Sequence, residues 1–122
     1  TKSNRWYFCD NGIRNAIIKN FNKLDLRQDK GELWENYLMA ERIKFNAYSK
    51  RSASYYFWRT YDQQEIDLVE EVSGQLSGFE FKWKAKKKVK APGAWRKGYP
   101  DADFNVVNRD NYLEFIDADV NS

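Results

Sequence analysis

Two runs of alternating side chains, joined by a turn, stand at the centre of the chain. The first runs from Gln64 to Val72 and is rich in branched residues; Ser73-Gly74 follows, and a second run begins at Gln75. Such a pattern predicts a β-hairpin. Alternation across a strand puts Phe79, Phe81 and Trp83 on one face and Glu80 and Lys82 on the other. An aromatic face buries itself. The opposite face then holds a carboxylate and an ammonium on an interior strand, and Asp67 on the partner strand offers a second carboxylate.

The flanking pattern predicts further elements. Arg5 to Cys9 reads as a short strand. Asp10 or Asn11 can cap a helix carrying Ile13, Ala16, Ile17 and Ile18, and residues 20–28 look irregular. Asp29, with Glu32 three residues on, opens the longest helix, which runs to about Tyr48. At 100° per residue, Leu33, Trp34, Tyr37, Leu38, Phe45 and Tyr48 form its apolar stripe. Glu41 projects into that stripe and Glu35 lies on its flank. An acid on an apolar face needs a partner, either a Lys or Arg or a metal, because an unpaired buried charge is costly. Ser54 to Thr60 is an aromatic strand. Pro92 starts a short helix with Trp95 that ends near Gly98, Asp103 to Asn108 is a further strand, and Tyr112 to Ile116 is a last short element whose type the pattern leaves open.

Composition narrows the chemistry. The 122 residues suffice for one domain with a core, and aromatics at 17% can build it. The mean hydropathy is -0.88, and no apolar run approaches a membrane span. There is no His, which excludes His-dependent triads, bases and metal ligands; Cys9 alone forms neither an internal disulfide nor a zinc cluster and fits a cytoplasmic setting. No phosphate-binding P-loop is present, so no nucleotide is expected in this chain. The net charge of +3 says little, but Lys84, Lys86, Lys87, Lys88 and Lys90 cluster. They read as a solvated loop or as a phosphate-binding edge.

Asp67 followed by Glu80-Phe81-Lys82 resembles the site pattern of the PD-(D/E)XK nuclease superfamily. The element order from Asp29, α-β-β-β-α-β, is similar to that superfamily's restriction-endonuclease-like core. Gly31-Glu32-Leu33-Trp34-Glu35 resembles the Gly-x-x-x-Glu signature of its first helix. Ile66 stands where many members have Pro. A second resemblance covers nearly the whole chain. Tyr7-Phe8 with Asp10-x-Gly12, Leu33-Trp34-Glu35-Asn36, Tyr56-Phe57-Trp58-Arg59, Glu65-Ile66-Asp67 and Phe79-Glu80-Phe81-Lys82 resemble a prokaryotic C-terminal domain of unknown function that follows an AAA+ ATPase module.

Together the resemblances imply an α/β fold with a mixed central sheet. Residues 1–28 would form a strand-helix extension and residues 29–122 the nuclease-like core, cut from a longer ATPase. They imply Mg²⁺ or Mn²⁺ held by Asp67, Glu80, the Phe81 carbonyl and Glu35; Glu41, from its place in the apolar stripe, is a candidate further acidic contact. Asp67, Glu80, Lys82 and Glu35 would be catalytic, DNA the substrate, and the five clustered lysines its contacts. The alternative is a catalytically inactive module that binds nucleic acid or protein and is coupled to the upstream ATPase.

Overall fold

The computed structural model describes residues 5–8, 30–84 and 89–116. The helix expected around Ile13 to Ile18, the irregular stretch 20–28, and Lys86, Lys87 and Lys88 lie outside these residues. The described elements are β1 (Arg5–Phe8), α1 (Lys30–Tyr48), β2 (Ala53–Arg59), β3 (Glu65–Val72), β4 (Gln75–Phe81), α2 (Gly93–Gly98), β5 (Asp103–Val107) and α3 (Tyr112–Ile116).

The strands form one mixed sheet in the order β1-β2-β3-β4-β5. β1 to β4 pair antiparallel, and β5 joins β4 in parallel, with α2 lying in the connection between them. The central hairpin turns where expected, but β3 begins at Glu65, one residue after Gln64, and β4 ends at Phe81, which leaves Trp83 outside the strand and exposed. Ser73 and Gly74 both take positive φ, 52° and 82°, the backbone handedness that matches a two-residue hairpin turn to the twist of its strands.

Each face of the sheet carries a core. On one face Leu38 of α1 and Phe115 of α3 pack with Tyr55, Leu68, Phe79, Phe81 and Val107. On the other, Trp95 of α2 packs with Trp58, Ile66 and Val69. Gly78 lets Trp95 approach the sheet, since a Cβ there would lie 3.3 Å from both the Trp95 ring and the Ile66 side chain. The apolar stripe of α1 thus covers the Phe79 and Phe81 face. Tyr48 departs from the expected stripe, being 83% exposed at the helix end.

A β-bulge interrupts the pairing of β2 with β3. Tyr56 pairs with Val69 and Trp58 with Ile66, so Asp67 and Leu68 together oppose Phe57. The extra residue shifts the alternation. Ile66 and Val69 therefore both reach the α2 face, while Leu68 reaches the α1 face.

A buried polar group ties α1 to the sheet. Arg42 donates to the Glu70 carboxylate through Nε at 2.8 Å and Nη2 at 3.0 Å, and through Nη1 to the Phe115 carbonyl at 2.8 Å. Asn46 donates to Glu70 at 2.9 Å and to the Tyr55 hydroxyl at 2.8 Å. Arg51 approaches Glu70 at 3.5 Å. Glu70 is only 2% exposed. Burial alone would raise its carboxyl pKa, but the hydrogen bonds and charge of Arg42, with Asn46 and Arg51, hold it below the ordinary 4.5.

Candidate active site

The site forms where the pairing of β3 with β4 stops. The last hydrogen-bonded register pair toward this end is Leu68 with Phe79, so the next two residues to meet are Asp67 and Glu80. The bulge takes β3 out of the ladder here, and the backbone N–H of Phe81 would lose its strand partner. The Asp67 carboxylate replaces it, accepting from Phe81 N at 2.9 Å. Alternation turns Glu80 away from the face of Phe79 and Phe81, and Lys82 follows Glu80. Lys82 Nζ lies 3.4 Å from Glu80; their side chains are 42% and 17% exposed.

Like charges placed opposite one another on a sheet destabilise it. Here the cost is visible in Glu80, whose pKa rises from 4.5 to about 7. Burial is the largest cause, and the Asp67 charge and hydrogen bond add to it; Lys82 pulls the other way. A carboxyl raised in the folded state favours folding fully below its unfolded pKa. That contribution is lost as pH rises through the folded pKa. Stability from this group should therefore decline between about pH 4.5 and 7. Urea titrations across this window should show the decline, and Glu80→Gln should remove it. The Glu70 network contributes its loss at lower pH, below the ordinary carboxyl range, so the two windows separate.

The remaining predicted residues divide as follows. Glu41 pairs with Lys44 at 3.2 Å, one turn along α1. This is the salt-bridge partner its position calls for. Glu35 sits on α1, whose apolar stripe packs on the face opposite Glu80. Among the described residues no three acidic, His or Cys side chains converge closely enough to hold a metal ion. Glu35 and Glu41 thus do not join Asp67 and Glu80 in a preformed cluster, against the expectation that α1 would bring Glu35 over them. Strand alternation is the reason, since it sends Glu80 and the α1 contacts to opposite faces. Lys84 and Lys90 are exposed. Arg42, Asn46 and Glu70 were not anticipated from the sequence.

A donor set of two touching carboxylates with the adjacent Phe81 backbone suits a hard divalent cation that keeps most of its waters. A cation there would offset both the burial and the Asp67 charge that raise Glu80. The residues present fit such an ion as a partial set of ligands.

A mixed α/β domain with an acidic pair and a lysine where two of its central strands part is the class of protein that fold and site define. The chain belongs to the DUF4143 family, a domain of unknown function, whose model matches residues 30–120. No curated protein and no solved structure matches it. No helix among the described residues is long and apolar enough to cross a membrane.

Proposed function

We propose that this domain is a divalent-metal-dependent phosphodiesterase of the restriction-endonuclease-like type, acting on DNA in the cytoplasm as the C-terminal part of an AAA+ ATPase. The observation that carries the reading is the pressing together of the Asp67 and Glu80 carboxylates beside Lys82, on adjacent strands and at a local energetic cost. The α-β-β-β-α-β order from Lys30 onward supports the fold assignment.

In this reading Asp67, Glu80 and the Phe81 carbonyl hold Mg²⁺ or Mn²⁺, and water fills the remaining positions. The bound ion would lower the pKa of a water and neutralise charge on the phosphate. Lys82 has its ammonium beside Glu80 and exposed enough to meet a substrate. It would donate hydrogen bonds to the attacking water and to the phosphoryl oxygen where negative charge develops. Glu80, with its raised pKa, would change protonation with pH near neutrality and so tie ion binding to pH. Lys84, Lys86, Lys87, Lys88 and Lys90 would contact backbone phosphates. If about three of them do so on duplex DNA, log K should fall with log salt at a slope near -2.7. Replacing those three with Gln should flatten that contribution, and an unchanged slope would assign the run to solvated loop.

One observation favours a second reading, an inactive module that binds nucleic acid or protein: only two carboxylates converge among the described residues. Cleavage of a labelled DNA panel with Mg²⁺ or Mn²⁺, against a chelator control, decides between them. Metal-dependent cutting supports the phosphodiesterase. DNA binding without cutting supports the module.

A further inference from the structure

Trp83 is a large apolar side chain left 52% exposed. It is nevertheless held in place. Its ring stands edge-on to Trp34 of α1, with centroids 5.3 Å apart at 84°. Trp34 in turn packs on the core. The Trp83 carbonyl accepts from Arg109 N at 3.2 Å, and the preceding Lys82 N donates to the Val107 carbonyl at 2.9 Å. The indole is therefore a fixed plane at the rim where the parallel strands β4 and β5 both end.

Its neighbours along the chain are cations. Lys82 and Lys84 flank it in sequence and exposed Arg109 is bonded to it through the backbone. From Phe81 to Pro100 the chain carries no Asp or Glu, while Lys and Arg recur throughout. Trp83 lies three residues past Glu80, at most about 11 Å of extended chain. An anchored, half-exposed indole among cations fits a ligand that combines flat apolar faces with phosphates. Bases stacked in a duplex do not offer their faces; unpaired bases do.

From this we infer that Trp83 is a stacking platform for an unpaired base, and that the domain takes single-stranded or locally opened nucleic acid across the rim beside Glu80 and Lys82. This rests on the phosphodiesterase reading for its choice of polyanion and adds the strandedness of the substrate. Lys84 and Arg109 hold the backbone on either side, and the indole fixes one base.

The test is fluorescence anisotropy with the 122-residue chain, in chelator so that no strand is cut. The probes are a labelled single strand, the same strand with abasic sites, and the matched duplex. Trp83→Ala should weaken single-strand binding about 5- to 150-fold, the range of one lost base stack. Trp83→Phe should retain most of it, the abasic strand should bind wild type as weakly as the intact strand binds Trp83→Ala, and duplex binding should be unchanged. Circular dichroism of both variants confirms the fold. Equal single-strand affinity for wild type and Trp83→Ala overturns the platform, and so does a Trp83→Ala effect on self-association alone. If wild type still cuts DNA in those cases, the phosphodiesterase reading survives them. Wild type that binds neither strand form in chelator overturns the platform, and the absence of metal-dependent cutting as well overturns both. A Trp83 effect on single strands with cleavage absent supports the platform on a module without catalysis.

Discussion

Replacing Arg42 with alanine is expected to destabilise the domain by about 3–5 kcal/mol, the cost of leaving a buried charge without its partner. Glu70 is 2% exposed and takes two hydrogen bonds from Arg42. The same guanidinium satisfies the Phe115 carbonyl, and it stands 4.8 Å from the Phe115 ring centre and 5.1 Å from that of Phe45. One truncation therefore orphans a carboxylate and a carbonyl and removes contacts to three rings, the third being Phe79 at 5.5 Å. Glu70→Ala should cost a similar amount, because it strands the guanidinium instead. The double replacement Arg42→Met with Glu70→Leu should cost far less than the sum, since a well-packed apolar pair is often neutral against a buried ion pair. Urea unfolding of the four proteins measures this. A loss below about 1 kcal/mol for Arg42→Ala would mean that water or Arg51 compensates the carboxylate.

Replacing Lys82 should do the opposite, sparing the fold and removing the chemistry. The Lys82–Glu80 pair is 3.4 Å long and Lys82 is 42% exposed. A pair that solvated contributes at most about 1 kcal/mol. Lys82→Ala should therefore shift stability by no more than that, while metal binding persists or tightens with a cation removed from its side. Cleavage should fall by about 100-fold or more through the loss of charge stabilisation. Glu80→Ala should separate the roles further. It removes the repulsion against Asp67, so the metal-free domain should hold or gain stability above about pH 7, where the native carboxyl is ionised. It should also lose metal binding and cleavage. Gaining stability while losing function marks a site held in tension for a ligand. If both substitutions unfold the domain, Asp67, Glu80 and Lys82 are a structural ion group.

Local signals made the hairpin legible. Ser73-Gly74 allows a turn with two positive φ angles, and alternation separates Phe79 and Phe81 from Glu80. The same alternation, followed one step further, argues against α1 lying over Glu80, because the helix must cover the phenylalanines. The bulge at Asp67 and Leu68 is an extra residue with no Gly or Pro to mark it, so a uniform period misassigns the faces of Ile66 and Val69. The Arg42–Glu70 pair spans 28 positions, and no local pattern joins its ends. A trace did exist on the helix. Leu38, Arg42 and Asn46 recur every four residues, which puts two polar side chains on the buried stripe. Tyr48 fell in the stripe by angle, but α1 ends there and leaves it 83% exposed.

Calorimetric titration of Mg²⁺ and Mn²⁺ into wild type and Glu80→Ala at pH 8 tests the metal site most directly. An acidic pair built for a divalent ion predicts saturable binding to wild type and none to a folded Glu80→Ala. No binding to wild type, or equal binding to both, would contradict it.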